Sequence, residues 1–321
     1  MSNGNAAQST GASELTSTPA GLSLRGRIVS AVVKLVVKRW PRGDRPALVR
    51  RARRVFGRPN WMTALVSHGV TYEEVQGTDL SGEWVLPDAN QFEDKVLLYL
   101  HGGGYVSCSP QTHRPLTAAL ARRLRRRVFA PDYRLAPEFP FPAAVDDATR
   151  AYTWLLELGL KPQNIALAGD SAGGGLLLAA MLRLKSQHQP LPACAVCLSP
   201  WVDLTGTFTA SNTDSCAMFR PEDGAEFAAV YLNGASARTP EASPLLGDMH
   251  SFPPLLIQVS STEMLFDDST RLHEKAIKSG VESKLHVYPG LAHVWQIFPG
   301  LVPEADAALA EIAAFVDART K

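Results

Sequence analysis

Three features that the sequence lacks each exclude a class of protein. The chain of 321 residues has no uninterrupted apolar run of the roughly 18 residues that a membrane-spanning helix needs. Its four cysteines are too few for a disulfide scaffold. Its net charge of +1 gives no general attraction to nucleic acid or membranes. Since hydrophobic residues make up 45% and charged residues 20%, a largely disordered chain is excluded, and we expect a soluble, globular, cytoplasmic protein.

The first 58 residues divide into two segments. Residues 1–23 are rich in Ser, Thr, Ala, Gly and Asn, which predicts a disordered leader, and they lack the pattern of a secretory signal. Residues 24–58 contain twelve Lys and Arg residues and one acid, Asp44. The apolar spacing predicts helices over roughly 24–40 and 44–56, with Asp44 as the N-cap of the second.

The first of these helices carries a predicted apolar stripe made of Ile28, Ala31, Val32, Leu35 and Val36. A basic helix pair of this kind could bind an anionic membrane or a nucleic acid. We favour the simpler interpretation, in which the amphipathic pair packs on the main domain and its Arg side chains lie in water.

From residue 64 onwards, strand-like and helix-like segments alternate. Apolar runs predict eight strands, at 65–75, 83–86, 95–100, 127–131, 164–168, 193–198, 254–260 and 283–288. Helices are predicted near 112–125, 143–158, 172–187, 267–280 and 304–318. This alternation is typical of an α/β protein with a mostly parallel sheet, here with an antiparallel start. Residues 201–245 interrupt the rhythm with one helical piece near 221–232, which predicts an insertion over one end of the sheet.

A nucleophile motif stands between a predicted strand and a predicted helix. Residues 169–174 read GDSAGG, which matches G-x-S-x-G in the context that this motif requires. The glycines allow a sharp turn that exposes the hydroxyl of Ser171, and the amide of Ala172 at the helix start points towards an oxyanion formed there. An ordinary serine in a tight turn is the alternative, which the placement of the motif disfavours.

A second glycine-rich loop, HGGGY at 101–105, directly follows another predicted strand. Three consecutive glycines allow the backbone to turn several N–H groups towards one point, as an oxyanion hole requires. A phosphate-binding loop would want a following Lys, whereas Tyr105 follows here.

A serine nucleophile needs a base, which in this type of fold comes after the acid in the chain. Beyond residue 260 the histidines are His273, His286 and His293. The first falls in a predicted helix and the second in a strand. His293 lies in the loop after the last strand and is therefore the candidate base.

The acid that orients this base is expected in the loop after strand 254–260. Glu263, Asp267 and Asp268 are the candidates. Glu263 comes soonest after the strand and is the best placed, whereas either Asp would also serve as an N-cap of the next helix.

Taken together, HGGG at 101–104, DYRLAPE at 132–138, FPAA at 141–144 and GDSAGG at 169–174 resemble the hormone-sensitive-lipase-like esterases, the bacterial family IV. The resemblance runs from about residue 60 to residue 320. It implies an α/β-hydrolase fold, a Ser-acid-His triad and hydrolysis of short acyl esters. It also implies a helical cap from residues 24–60 and 201–245 over a catalytic domain of residues 61–200 and 246–321.

The resemblance gives each matching residue a role. It implies that Ser171 is the nucleophile and His293 the base, and that Gly103, Gly104 and Ala172 supply the oxyanion amides. Many members carry Asp where this chain has Glu263, and a subset carries Glu followed by an apolar residue and Leu, as here. The predicted pocket residues lie in loops or in the cap: Tyr105, Trp201, Met218, Phe219 and Val294, with Phe56 and Trp295 as further candidates.

No cofactor fingerprint and no cluster with metal-ligand spacing occurs in the sequence, so we expect neither a cofactor nor a metal. Cys194 and Cys197 have redox-motif spacing but lie in a strand, where such positions point to opposite faces. The expected partner is a small-molecule ester. Nucleic acid is not expected, nor, with the basic helices assigned to the cap, is a membrane surface; a homodimer is left open. A lactone or amide hydrolase with the same triad, and a non-catalytic binding protein, are the alternative functions.

Overall fold

A nine-stranded sheet forms the centre of the computed structural model, which describes residues 14–17, 21–38, 44–57, 68–206 and 215–321. The strands are β1 Glu14–Ser17, β2 Val70–Gln76, β3 Ser81–Pro87, β4 Val96–Leu100, β5 Arg127–Pro131, β6 Ile165–Asp170, β7 Cys194–Leu198, β8 Leu255–Ser260 and β9 Ser283–Tyr288. Their order is β1-β9-β8-β7-β6-β4-β5-β3-β2. β3 is antiparallel to both β2 and β5, and every other pair is parallel, which confirms the predicted sheet type.

Eight α-helices occur in the described residues. They are α1 Leu24–Val33, α2 Arg45–Val55, α3 Pro110–Leu124, α4 Ala143–Glu157, α5 Ala172–Ser186, α6 Pro221–Leu232, α7 Phe266–Lys278 and α8 Pro303–Asp317. A π-helical turn, Lys34–Lys38, continues α1 directly. The helices predicted from periodicity lie within a few residues of these bounds.

The sheet is buried on both faces. Along β4, Val96, Leu98 and Leu100 belong to the core shared with α4, α5 and α7, whereas Leu97 and Tyr99 belong to the core shared with α3 and α8. Because side chains alternate along a strand, a continuous apolar run is what a strand covered on both sides requires. The carboxyl ends of these buried strands carry the loops that the sequence singled out.

The predicted leader and the predicted number of strands are wrong at β1. Residues Glu14–Ser17 pair in parallel with Lys284–Val287 of β9 and add a ninth strand at that edge. Leu15 is 70% exposed, so backbone hydrogen bonds rather than apolar burial hold the strand. An open sheet edge accepts almost any extended segment, which is why the composition gave no sign of it. Residues 1–13 and 18–20 lie outside the described residues, as does the start of the strand predicted at 65–75.

The amino-terminal helix packs on the protein as predicted, but the face predicted to pack is wrong. Most of its predicted stripe faces outwards, because Ile28, Val32, Leu35 and Val36 are between 53% and 55% exposed. The side that packs on the protein is a second line of small or apolar residues: Gly26, Val29, Val33 and Val37. At Gly26, an added Cβ would lie 2.8 Å from Leu22 and 3.2 Å from Glu304, so this line allows a close approach to α8.

Candidate active site

Ser171 occupies a strained turn between β6 and α5. Its φ of 52° and ψ of −120° lie outside the regions that side chains prefer. A Cβ at Gly169 would lie 2.5 Å from the Gly173 carbonyl oxygen, and one at Gly173 would lie 2.0 Å from the Leu100 oxygen. Only glycine fits at these two positions, so the motif spacing is a direct requirement of the turn.

His293 and Glu263 form a hydrogen-bonded pair in two neighbouring loops. His293 Nδ1 lies within hydrogen-bond distance of Glu263 Oε2, and both side chains are buried. Glu263 Oε1 accepts hydrogen bonds from the Ser260 amide at 2.6 Å and the Ser199 hydroxyl at 2.8 Å. An Nδ1–H that donates to a carboxylate leaves Nε2 as the proton acceptor. His293 Nε2 is buried and has no hydrogen-bond partner among the described residues.

The other candidates for base and acid have partners elsewhere. His273 Nδ1 lies 2.9 Å from the Ser283 hydroxyl, and His286 Nδ1 lies 2.8 Å from Glu311. Asp268 accepts the amides of Val202 and Asp203 at 2.9 and 3.1 Å and so holds the chain after β7. Burial raises the pKa of Asp268 to about 7, despite these two amides. Asp267 is in the first turn of α7.

The glycine loop after β4 adopts backbone angles that need glycine. Gly103 has φ of 114° and Gly104 has φ of 63°. A Cβ at Gly103 would lie 2.2 Å from the Ser107 carbonyl oxygen. The Gly103 carbonyl turns back to accept the amides of Val106 and Ser107, at 3.2 and 3.1 Å. Ala172 is the first residue of α5, so its amide belongs to the unpaired N-terminal turn.

These groups meet in one cavity of about 240 Å³. Ser171, His293, Gly103 and Gly104 all line it. The rest of its wall is mostly apolar and comes in part from α1, α2 and α6, which lie over the carboxyl ends of the strands. A serine, a carboxylate-bound histidine and a glycine-rich loop around an apolar cavity are an arrangement that acyl transfer can use.

Residues 97–297 match a protein family described as having the alpha/beta hydrolase fold. The chain belongs to this α/β-hydrolase family. It is 44% identical to an acetyl-hydrolase of Streptomyces hygroscopicus over 75% of this chain and 80% of that protein. It is 39% identical to an esterase of Acinetobacter venetianus over 69% of this chain and 74% of that protein.

The whole hydrolase is also similar to solved structures. An esterase of the bacterial hormone-sensitive lipase family superposes with a TM-score of 0.83 at 37% identity, over 94% of this chain and all of that one. An esterase/lipase from an uncultured bacterium gives a TM-score of 0.84 at 35% identity, over 92% and 99%. The predicted resemblance is confirmed, and the protein is a carboxylic ester hydrolase.

Four of the five pocket residues predicted from the sequence line the cavity of the hydrolase: Trp201, Met218, Phe219 and Val294. The ring of Phe219 meets the imidazole of His293 edge to face, with centroids 5.5 Å apart. Tyr105 does not line the cavity. It is 2% exposed and stacks on Tyr231 of α6, with centroids 3.8 Å apart. Its position after three glycines did not indicate this, because the stacking partner is distant in the chain.

Phe56 also lines the cavity, whereas Trp295 is buried against Tyr288. The sequence interpretation missed Val33 and Val37, which follow each other at helical spacing on the packed side of α1 and its continuation. It also missed Phe227 of α6, which packs edge to face against Phe219.

Asp170, directly before Ser171, is a further residue that the sequence interpretation missed. Its Oδ1 accepts hydrogen bonds from the Tyr99 hydroxyl at 2.7 Å and the Gly102 amide at 3.0 Å, so it joins the turn at Ser171 to the glycine loop. Burial alone would raise the pKa of Asp170, but the nearby His113 and the Tyr99 hydrogen bond outweigh it, and the net shift is downwards. The position of Asp170 within the GDSAGG motif was the sequence signal that could have identified it.

Arg53 of α2 ties the amino-terminal helices to the glycine loop. Its Nε donates to the Val106 carbonyl at 2.9 Å and its Nη2 to the Ala136 carbonyl at 3.1 Å. Two further bonds, at 2.7 and 2.5 Å, reach the carboxylate of Glu138. The hydrogen bonds from Arg53 lower the pKa of Glu138 to about 2.

Within the described residues, no group of three or more His, Cys, Asp or Glu side chains is placed to hold a metal ion. Cys194 and Cys197 are both buried in β7 and are free thiols. Burial raises the pKa of Cys194 to about 12.

Proposed function

We propose that this hydrolase is a serine carboxylesterase that cleaves short- to medium-chain acyl esters through an acyl-enzyme. The observation that carries the proposal is the buried His293 imidazole, bound to Glu263 through Nδ1 and without a partner at Nε2 among the described residues, in the cavity that Ser171 lines. The acetyl-hydrolase name of one relative supports a short acyl group.

In the proposed reaction, His293 Nε2 accepts the proton of the Ser171 hydroxyl while Ser171 Oγ bonds to the ester carbonyl carbon. The carbonyl π electrons move to oxygen, and the amides of Gly103, Gly104 and Ala172 stabilise that negative charge. The bond to the alcohol oxygen then breaks, and the alcohol leaves with the proton from His293. Glu263 holds the imidazole in the required tautomer and stabilises its positive charge.

The second half of the reaction repeats these steps with water. His293 takes a proton from water, whose oxygen attacks the acyl carbon of the acyl-enzyme. The bond to Ser171 breaks, the serine recovers its proton from the imidazole and the carboxylic acid leaves. Loss of a single oxyanion-hole donor typically costs roughly 10² to 10³ in kcat, so the glycine loop is expected to contribute to the rate alongside the triad.

We also propose that residues 24–60 and 201–245 serve as the cap, since α1, α2 and α6 supply part of the cavity wall. A cavity closed on this side supports a preference for acyl chains that it can enclose. Rates on matched ester, lactone and amide substrates measure which of the three classes the enzyme prefers. The cytoplasmic location expected from the sequence stays a prediction.

Initial rates on p-nitrophenyl esters from acetate to palmitate test the proposal. We expect the highest kcat/KM at short chains, and a loss of about a millionfold in kcat for Ser171→Ala, as for removal of a triad serine elsewhere. Ser186→Ala, at the exposed end of the same helix, is the matched control and should keep the parent rate. If Ser171→Ala retained most of its activity, the assignment of the nucleophile would be wrong.

A further inference from the structure

Helix α1 presents an apolar surface to solvent that no described residue covers. This outer stripe consists of Leu24, Ile28, Val32, Leu35 and Val36, the last two in the π-helical turn. Leu24 is 72% exposed, and the other four are a little over half exposed. Large apolar side chains grouped on one exposed face are uncommon in a protein that has no partner for that face.

Basic residues accompany the outer stripe and acidic residues are missing from it. Arg25, Arg27 and Lys34 are exposed on the same helix or its continuation, and the sequence from 21 to 38 contains neither Asp nor Glu. An apolar face flanked by cations is the combination that an interfacial helix uses, with the apolar side chains in the acyl boundary and the cations among anionic headgroups.

We propose that the outer stripe of α1 rests on the surface of a membrane that contains anionic lipids. The helix would lie in the plane of the interface. None of the described helices is long and apolar enough to cross a bilayer, so the contact is one with the surface. This inference does not rest on the proposed esterase mechanism, and it corrects the sequence interpretation, which took the stripe to be packed.

The charges beside the outer stripe favour a lipid surface, rather than a second copy of the chain, as its binding partner. In a two-fold symmetric contact the same patch faces itself, so Arg25, Arg27 and Lys34 of each copy would approach those of the other without an acid between them on α1. Anionic headgroups neutralise these cations instead. The patch therefore complements an anionic apolar layer better than it complements itself.

The stripe is held in place by the body of the protein. The Ser23 amide and hydroxyl donate to the two carboxylate oxygens of Glu304, at 2.6 and 2.8 Å, and fix the start of α1 against α8. A surface that is already ordered loses little conformational entropy on binding. On the opposite side of the same segment, Val33 and Val37 line the catalytic cavity, so membrane contact would bring the cavity close to the lipid layer.

Co-sedimentation of the full chain with vesicles tests the proposal without any turnover. We expect the protein to sediment with vesicles of phosphatidylcholine and phosphatidylglycerol, less so as salt is raised, and to stay in the supernatant with phosphatidylcholine alone. Replacing Ile28, Val32 and Leu35 together by Ser should weaken binding tenfold or more, on the order expected from lost apolar burial. Replacing Arg25, Arg27 and Lys34 by Gln should weaken it about fivefold for each charge.

Matched controls separate binding from folding. Leu158→Ser and Ile277→Ser remove exposed apolar side chains elsewhere and should leave vesicle binding unchanged. The stripe variant should keep the parent unfolding temperature and the parent rate on a water-soluble acetate ester, since its three positions lie outside the cavity wall. Wild-type protein that stays in solution with anionic vesicles, or a stripe variant that binds as well as the parent, would overturn the proposal. So would a dimer in light scattering that the stripe variant converts to a monomer.

Discussion

Single residues at the active site are held by constraints that are local in space but only partly local in sequence. The turn at Ser171 depends on Gly169 and Gly173, both within two positions. Glu263, in contrast, is oriented by the Ser199 hydroxyl as well as the Ser260 amide, and these come from the ends of two different strands. Both donors hold Oε1, so the carboxylate keeps Oε2 turned towards Nδ1 of His293.

Replacing Glu263, the acid proposed to orient His293, tests this arrangement. We expect Glu263→Gln to lower kcat about 10³- to 10⁴-fold at neutral pH, because an amide no longer stabilises the imidazolium and can impose the wrong tautomer. Asp267→Asn, at the neighbouring acid candidate, should leave kcat within a small factor of the parent. Rates on p-nitrophenyl acetate measure both variants. Equal losses in the two would contradict the assignment of Glu263.

At the scale of elements, α2 and the glycine loop are coupled by one side chain. Arg53 reaches two backbone carbonyls and the Glu138 carboxylate, so it links a helix of the proposed cap to the loop that carries Gly103 and Gly104. The folded state lowers the pKa of Glu138 to about 2. Stability from this pair is therefore fully present above the ordinary carboxyl pKa of 4.5 and is lost as the pH falls through about 2. The Glu138 carboxylate therefore stays ionised, and the link intact, at neutral and mildly acidic pH.

Removing this link should affect the transition state more than substrate binding. We expect Arg53→Ala to lower kcat on the order of tenfold with little change in KM, since a misplaced oxyanion donor matters most when negative charge develops. Glu138→Gln should cost less, because both carbonyl contacts of Arg53 survive it. Arg54→Ala removes the exposed neighbouring charge and is the control. A rise in KM at constant kcat would argue against a role in positioning the loop.

At the scale of the whole molecule, the cavity exists only where α1, α2 and α6 meet the carboxyl ends of the parallel strands. Arg45 of α2 pairs with Glu226 of α6 at 2.5 Å, and Arg220 donates to the Lys38 carbonyl at 2.6 Å, so these helices also hold one another. Val37 is buried beneath them and lines the cavity, whereas Val36 beside it is 53% exposed. Two adjacent valines thus face the cavity and the solvent.

This pair offers a test of cavity size. We expect Val37→Trp to reduce kcat/KM for octanoate about tenfold or more relative to acetate, because the larger ring occupies space that a longer acyl chain needs. Val36→Trp adds the same side chain on the outer stripe and should leave the ratio unchanged. Parallel rate measurements on both esters give the ratio, and a similar shift in the two variants would exclude Val37 as a determinant of chain length.

Local sequence patterns predict the features of this protein that have short-range causes. Apolar runs and helical periodicity specified the parallel sheet and its helices, since burial on one or both faces follows directly from spacing. The two glycine motifs marked the loops because only glycine fits there: Gly103 and Gly104 need positive φ, and a Cβ at Gly169 or Gly173 would clash with the backbone. His293 and Glu263 could be selected because both follow strands whose carboxyl ends share one edge of the sheet.

Features that depend on partners distant in the chain emerge only in the folded protein. The pairing of β1 with β9, the burial of Tyr105 against Tyr231 and the reach of Arg53 to Glu138 each join segments far apart in the chain. Helix α1 shows the same principle most plainly. Its sequence is apolar on two sides, so periodicity alone could not tell which side packs; contact with α8 and the cavity buried one and left the outer stripe in solvent.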